Sequence, residues 1–225
     1  IEVLYEQGVL SEEEVMSLME EYGVLGDEGR AVYYDQVYRV FWGSGMGADD
    51  RAGIIVILEL LRKGHRPHVL FTNGEESGCW GAEVAARDLA VYSEQFNLVI
   101  ELDRRGWNDA VYYGCGNREI REWVGEYGWV EDYGTMTDIG VLCPVWDIAG
   151  VNLSVGYYHE HTLQEVLKLD ELEYTIERVD RMLRDLPDKR LSYEREVIEG
   201  YEVVEIDQAS VTEEAGKGFK RGVWV

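Results

Sequence analysis

The chain has 225 residues, of which 46% are hydrophobic, and this is enough for a buried core in one large domain or in one domain with a tail. Its net charge of −24 argues against binding to nucleic acid or to anionic membranes, because so acidic a surface repels phosphate groups. We find no apolar run of about eighteen residues that would span a membrane, and no secretory signal opens the chain.

Three cysteines, Cys79, Cys115 and Cys143, are odd in number and lack CxxC spacing. A disulfide framework or a thiolate zinc site is therefore not expected. Cysteines of this kind are typical of buried positions in a reducing compartment, and we expect a cytoplasmic protein. The acidic composition has two interpretations, a highly soluble cytosolic protein or an adaptation to high salt.

The first predicted elements are a capped helix and a pair of strands. The helix begins at Ser11 and ends at Gly23, and two strands or a hairpin are expected between Ala31 and Trp42. A second helix is predicted from Arg51 to Lys63. Its body is almost wholly apolar, which indicates that it packs against a sheet.

Short apolar strands then alternate with helices. The predicted strands are 67–72, 97–102, 110–113 and 151–158, and the predicted helices are 79–89, 118–127 and 170–186. This alternation indicates an α/β fold with a mostly parallel sheet sandwiched by helices. We expect one domain over residues 1–188, with 1–46 as an atypical N-terminal segment, and a C-terminal extension over 189–225 that contributes one strand at 202–206.

Acidic and imidazole side chains stand where apolar runs give way to loops. They are Asp49 before the second helix, Glu75 and Glu76 after strand 67–72, Asp103 after strand 97–102, and His161 after strand 151–158. Ligands gather where the carboxyl ends of parallel strands meet, so we expect these side chains to converge. Carboxylates together with an imidazole are good ligands for Zn²⁺ or a similar divalent ion.

Each of these residues also has a purely structural interpretation when it is considered alone. Asp49 and Asp50 resemble a helix cap, the two glutamates a solvated acidic turn, and Asp103 is followed by arginines that could neutralise it. His159 lies two residues before His161, so both rings would point the same way on an extended segment. Chance could place one or two such residues at strand ends, and their joint occurrence favours a metal site.

Three motifs in these loops resemble those of the co-catalytic zinc exopeptidases, which include aminopeptidases, tripeptidases and carboxypeptidases. They are Gly-Ala-Asp-Asp-Arg-Ala-Gly at 47–53, Gly-Glu-Glu-Ser-Gly at 74–78, and Tyr-His-Glu-His-Thr at 158–162 with Glu165 beyond it. The resemblance runs from about Gly47 to Leu186. The stretch from Asp103 to His161 is too short for the lid or dimerisation domain of some relatives, so a form without a lid domain fits better.

The resemblance implies a set of metal ligands. Asp49 would bridge two metals, and Asp50 would follow it across an unusual peptide bond. Glu76 and His161 would complete one metal position, and Asp103 would serve the other. The implied cofactor is one or two Zn²⁺ ions, with Co²⁺ or Mn²⁺ as alternatives.

The same resemblance implies a hydrolase of peptide or acyl-amino-acid amide bonds. Glu75 would be the general base that takes a proton from the attacking water, and Asp138, in Gly-Thr-Met-Thr-Asp, would lie on the substrate side or behind the ligands. The implied partners are a small peptide or amide substrate and either a second copy of the chain or a further chain or segment that completes the N-terminal part of the fold.

One family feature is missing from this sequence. Relatives supply a first ligand from a His-x-Asp motif ahead of the bridging aspartate, but no histidine precedes Asp49 here. Three explanations stay open: the motif lies upstream or on a separate chain, His159 substitutes, or the second metal position is lost. A catalytically impaired relative with a structural or interaction role, and an acidic α/β domain without metal, are the alternatives to an enzyme.

Overall fold

This computed structural model describes residues 32–43 and 45–194. The strands are β1 Val32–Asp35, β2 Val40–Gly43, β3 Val99–Arg104, β4 Asp109–Val111, β5 Val130–Asp132, β6 Gly150–Ser154, β7 Tyr157–Tyr158 and β8 Glu165–Lys168. The helices are α1 Ala48–Arg62, α2 Trp80–Asp88, α3 Arg118–Glu126, α4 Asp138–Trp146 and α5 Leu169–Arg184. The helix expected from Ser11 and the strand expected at 202–206 lie outside the described residues.

A four-stranded sheet in the order β3-β6-β4-β5 forms the centre of the fold. The pairs β3–β6 and β4–β5 are parallel, whereas β4–β6 is antiparallel. Helices α1 and α5 pack in one apolar cluster with this sheet, and α2 and α4 form a second cluster. The predicted α/β class is confirmed, with a mixed sheet. Among the described helices, none has the length and apolar character needed to cross a membrane.

A second sheet, antiparallel and in the order β1-β2-β8-β7, was not predicted as a unit. Its β1–β2 hairpin confirms the expected pair of strands, and Tyr33 stacks on Trp42 with ring centroids 4.4 Å apart. Strand β8 pairs with β2 so that Glu165 lies opposite Gly43. This pairing brings the end of the His161 loop close to the start of α1.

Helix α1 lies directly on β3 because Gly53 has no side chain. A methyl group at Gly53 would lie only 1.8 Å from the carbonyl oxygen of Leu102. Asp49 lies at the beginning of α1, and Asp103 lies near the end of β3. The close contact between helix and strand therefore sets the distance between these two carboxylates.

The prediction of a buried strand at 67–72 is wrong for the described part of the chain. Val69, Leu70 and Phe71 are 38%, 39% and 42% exposed, and no described strand pairs with the segment. Strand β3 is also the end of its sheet, so that edge is open among the described residues. Apolar composition favours a strand, but a strand forms only where a neighbour supplies hydrogen bonds.

The predicted strand 151–158 is divided into two strands that belong to different sheets. Gly156 separates β6 from β7 with a φ of 93°, a conformation that glycine adopts without strain. A side chain there would also meet the backbone nitrogen of Leu172 at 2.9 Å. The chain therefore turns out of the central sheet just before the His161 loop.

Residues beyond α5 pack against the beginning of the central sheet. The amide of Leu191 donates to the carbonyl of Asn97 at 2.8 Å, and its own carbonyl accepts from Ala149 at 2.8 Å. The guanidinium group of Arg190 donates to the carbonyls of Phe96 and Trp146. The boundary expected at residue 188 stays a prediction.

Candidate metal centre

Ligand atoms of Asp49, Glu76 and His161 meet at one point, all within 4.8 Å of one another. Nε2 of His161 lies 2.8 Å from Oδ2 of Asp49 and 2.6 Å from Oε1 of Glu76. Two carboxylates and an imidazole are the oxygen and nitrogen ligands that Zn²⁺ binds in catalytic sites, with a position left for substrate. The residues present therefore fit a divalent metal ion.

Asp49 is held by a buried carboxylate from the second sheet. Oε1 of Glu165 accepts a hydrogen bond from the amide of Asp49 at 2.9 Å, and Oε2 accepts from the amide of Gly47 at 2.7 Å. These two bonds satisfy amides at the beginning of α1, where they have no partner within the helix. The peptide bond between Asp49 and Asp50 is cis, as the resemblance implied, and Asp50 is exposed.

Glu75 and Glu76 form one 3₁₀ turn with Ser77, enclosed by two glycines. Gly74 and Gly78 have φ values of 73° and 105°, which permit the sharp turn on either side of the pair. Burial, together with the charges of Glu76, Asp138 and Asp49, raises the pKa of Glu75 to about 6. A carboxylate with a pKa this close to neutrality is well suited to accept a proton and pass it on.

Asp103 lies beside Asp49 but outside the group of three. Burial and the negative charges of Asp49, Asp50 and Glu75 hold the pKa of Asp103 well above its usual range, and its carboxyl group shares a hydrogen bond with that of Asp49. The buried Asn152 fixes the backbone here, since its Oδ1 accepts from the amide of Asp103 at 3.0 Å and its Nδ2 donates to the carbonyl at 3.1 Å. Two adjacent carboxyl groups of this kind are stabilised by a cation.

The carboxylates around His161 favour the protonated form of its imidazole. Burial alone would lower its pKa, but the hydrogen bond with Asp49 and the charges of Glu76 and Asp49 raise the pKa of His161. His159 and His161 both have positive φ values, 58° and 60°, so the segment is not extended and the argument that their rings point the same way does not apply. His159 is exposed and is not part of the group of three.

Asp138 connects the glutamate turn to α4 rather than joining the ligands. The hydroxyl of Thr72 donates to Oδ2 of Asp138. Burial, and after it the charge of Asp138 and a hydrogen bond with this carboxylate, raise the pKa of the Cys79 thiol. Oδ1 has no partner among the described residues, although Asp138 is only 6% exposed. The Asp138 carboxylate thus bonds to residues at both ends of the loop that carries Glu75.

Two residues that organise the site had no role in the sequence-based ligand set. Glu165 was noted only as a part of the third motif, and Asn152 was not considered. Asn152 had one detectable signal, because it is the polar residue inside the otherwise apolar run Val151–Leu153. A fully buried side-chain amide in a strand must form hydrogen bonds, and the groups that it bonds are those that it holds in place.

Comparisons with known proteins find similarity at the level of structure. No protein-family model matches the chain, and no curated protein matches it. A TET aminopeptidase from a marine sediment thaumarchaeote superposes with a TM-score of 0.57 and 19% identity, over 70% of this chain and 53% of that one. An aminopeptidase from Desulfurococcus kamchatkensis superposes with a TM-score of 0.55 and 18% identity, over 78% of this chain and 57% of that one.

A third match is the TET1 peptidase of Pyrococcus horikoshii, which can assemble into a tetrahedron or a large octahedral shell. Its TM-score is 0.51 and its identity 17%, over 70% of this chain and 53% of the other. The chain therefore spans a little more than half the length of each of these three peptidases. Together with the layered α/β architecture, these matches show that the chain shares the fold of these peptidases.

Proposed function

We propose that this chain is a zinc-dependent hydrolase of the exopeptidase type, acting on the amide bond of a peptide or an acylated amino acid. One observation carries the proposal: the ligand atoms of Asp49, Glu76 and His161 meet beside Glu75, a carboxylate with a pKa of about 6. The aminopeptidase fold of the matched structures supports it.

Asp49, Glu76 and His161 would hold the metal, and Asp103, next to Asp49, would contribute to a second position. A bound zinc ion polarises a carbonyl group and makes a water molecule more acidic. Glu75 takes one proton from the attacking water as the oxygen bonds to the carbonyl carbon. The same carboxyl group then gives that proton to the nitrogen of the leaving amine as the C–N bond breaks.

The variant Glu75→Gln tests this proposal, because it removes the proton acceptor and keeps the size of the side chain. We expect hydrolysis of aminoacyl p-nitroanilides or N-acyl amino acids to fall by about 10²-fold or more, with zinc content unchanged by elemental analysis. Glu83→Gln, an exposed position on α2, is the matched control and should keep wild-type activity. Equal activity of Glu75→Gln and wild type would exclude Glu75 as the base.

A second candidate function is a structural or interaction role for a catalytically impaired relative. The exposed apolar segment 67–72 favours it, because this segment offers a surface for another chain. Zinc binding without hydrolysis of any amide substrate would support this candidate. Zinc binding with hydrolysis that depends on Glu75 would exclude it.

Partners and location also belong to the proposal. We infer either assembly of several copies, as TET1 peptidase does, or a further chain or segment that pairs with the open edge of β3, covers the exposed segment 67–72 and completes the N-terminal part of the fold. A mass of about 52 kDa or more by light scattering, twice the 25.8 kDa of one chain or above, would show self-assembly. We place the protein in the cytoplasm, and its three cysteines are free in the structure.

A further inference from the structure

Helix α1 takes its N-terminal cap from a distant residue. The helix begins after Gly47, which has a φ of 66° and no side chain that could bond the first amides. Both oxygens of Glu165 accept instead, from the amide of Gly47 at 2.7 Å and from that of Asp49 at 2.9 Å. Glu165 is only 4% exposed and belongs to β8. The beginning of α1 is therefore fixed to the second sheet.

The segment between His161 and Glu165 forms a closed turn. The hydroxyl of Thr162 donates to the carbonyl of His159 at 2.6 Å and accepts from the amide of Gln164 at 3.1 Å. Glu165 then begins β8, which pairs with β2 on one side and with β7 on the other. Because the turn is bonded to itself and the strand is held on both sides, His161 and Glu165 keep a fixed position relative to each other.

Asp49 is contacted by this segment at two places. Nε2 of His161 lies 2.8 Å from Oδ2 of the Asp49 side chain, and Glu165 accepts from the Asp49 backbone. The same sheet contributes a third contact, since the hydroxyl of Tyr157 in β7 donates to Oδ1 of Asp103 at 3.4 Å. The second sheet therefore meets the proposed metal centre through three side chains, of which that of His161 belongs to the group of three ligands.

Glu165 acts on the position of a ligand and is not itself available as one. Both of its oxygens are occupied by backbone amides, and it is not among the side chains whose ligand atoms meet. A metal ion binds tightly only when its ligands are held close to the required geometry, so the groups that orient the ligands contribute to affinity. The bond from the Asp49 amide to Glu165 determines how far Asp49 lies from His161, and one ion must bind both.

We propose that Glu165 is a positioning residue for the metal centre: it holds Asp49 at the distance from His161 at which one divalent ion can bind both. Docking of the second sheet against α1 and binding of the ion then stabilise each other, because each brings the same two residues together. This inference rests on the metal centre of the proposed function and does not depend on hydrolysis.

Two variants of Glu165 separate the effect of its position from the effect of its charge. Glu165→Gln keeps the size of the side chain but replaces one acceptor oxygen by an NH₂ group, and Glu165→Asp keeps the charge but is one methylene shorter. We expect calorimetry of the metal-free full chain with Zn²⁺ to give a Kd about 10–100-fold higher for each variant than for wild type. Glu177→Gln, on an exposed glutamate of α5, is the matched control and should stay within twofold of wild type. A wild-type Kd for either Glu165 variant would overturn the inference.

Bound Co²⁺ provides a readout that a purely structural role would not change, because its visible absorption depends on its coordination geometry. At saturating Co²⁺ we expect the absorption bands of both Glu165 variants to differ from those of wild type, and the bands of Glu177→Gln to match them. If both Glu165 variants unfolded at a lower temperature in EDTA but kept the wild-type Co²⁺ spectrum, Glu165 would only cap α1 and the inference would be wrong.

Hydrogen exchange of the wild-type chain tests the coupling without any variant. Zinc should slow exchange at the amides of Gly47, Asp49 and β8 by about tenfold or more and leave exchange in α3 unchanged. Equal exchange with and without saturating zinc would overturn the inference. A chain that binds zinc but cleaves no amide would refute the hydrolase function and leave this inference standing, whereas a chain that binds no zinc would overturn both.

Discussion

Replacement of Gly53 by alanine tests whether the contact between α1 and β3 sets the geometry of the site. The added methyl group would lie 1.8 Å from the carbonyl oxygen of Leu102 and 2.9 Å from its carbon, whereas ordinary contacts begin at 3.4 Å. The obstacle is backbone, so no rotamer change can remove the overlap. Helix α1 must therefore move away from the strand by about 1.6 Å, the difference between the first and last of these distances.

The size of the effect follows from two opposing terms. Overpacking of this kind costs about 1–3 kcal/mol, or more where backbone must shift. Alanine regains about 1 kcal/mol through its higher helix propensity. We expect a net loss of about 2 kcal/mol in the free energy of unfolding, which lowers Tm by roughly 4–8 °C in a domain of this size. Zinc affinity should also fall, because Asp49 begins the helix that moves.

Gly125→Ala is the matched control for this experiment. Gly125 is exposed in α3, and a methyl group there meets nothing within 4 Å. The same chemical change should therefore stabilise the protein by up to about 1 kcal/mol. Urea unfolding of both variants, with zinc removed and with zinc added, measures the two effects. If Gly53→Ala proved as stable as Gly125→Ala, the close packing of α1 on β3 would be refuted.

Three other expectations follow from the site and from the open edge. The raised pKa of Asp103 stabilises the metal-free fold below pH ~4, and this stabilisation is lost as pH rises through the folded-state pKa. Thermal unfolding in EDTA should show this loss as a fall in Tm with rising pH. The variant Asp103→Asn should make Tm less dependent on pH over the same range. The variant Asn152→Leu leaves the backbone amide and carbonyl of Asp103 without their hydrogen bonds to this side chain. We expect the free energy of unfolding in urea to fall by about 2–4 kcal/mol and zinc binding to weaken. Wild-type stability of this variant would contradict the expectation. Amides of 69–71 should exchange with deuterium far faster than those of β6, and slow exchange would mean that another segment covers the edge.

Local sequence patterns predicted α1, α2, α3 and α5 among the described helices. The apolar body of α1 and the amphipathic pattern of α5 are visible within single windows of sequence, and both helices are confirmed. The loop positions of Asp49, Glu76 and His161 were also predicted from the ends of apolar runs, and the structure brings these three side chains together.

Features that depend on distant residues were not predictable in this way. Glu165 acts on the amide of Gly47, 118 positions earlier, and Asn152 acts on Asp103, 49 positions earlier. Pairing of β2 with β8 is equally remote, so the second sheet could not be derived from alternation along the chain. The prediction of a strand at 67–72 failed for the opposite reason. Its own sequence pattern is strand-like, but no strand among the described residues pairs with it.

Helix α4 was missed because its composition is unfavourable. It contains Gly140 and Pro144, two residues that normally interrupt a helix. Burial of Ile139, Leu142 and Trp146 against α2 supplies the stabilisation that local propensity lacks. Tertiary packing of an apolar face can therefore outweigh weak propensity, and this effect cannot be read from a single window.

The open edge of β3 and the exposed apolar segment 67–72 also bear on the colloidal behaviour of the protein. An unpaired strand edge with exposed apolar side chains is a template for intermolecular β-pairing and aggregation. A net charge of −24 keeps such edges on different molecules apart at low ionic strength, because the molecules repel each other. Salt shortens the range of that repulsion to about 8 Å at 0.15 M, so concentrated stocks are best kept at low ionic strength.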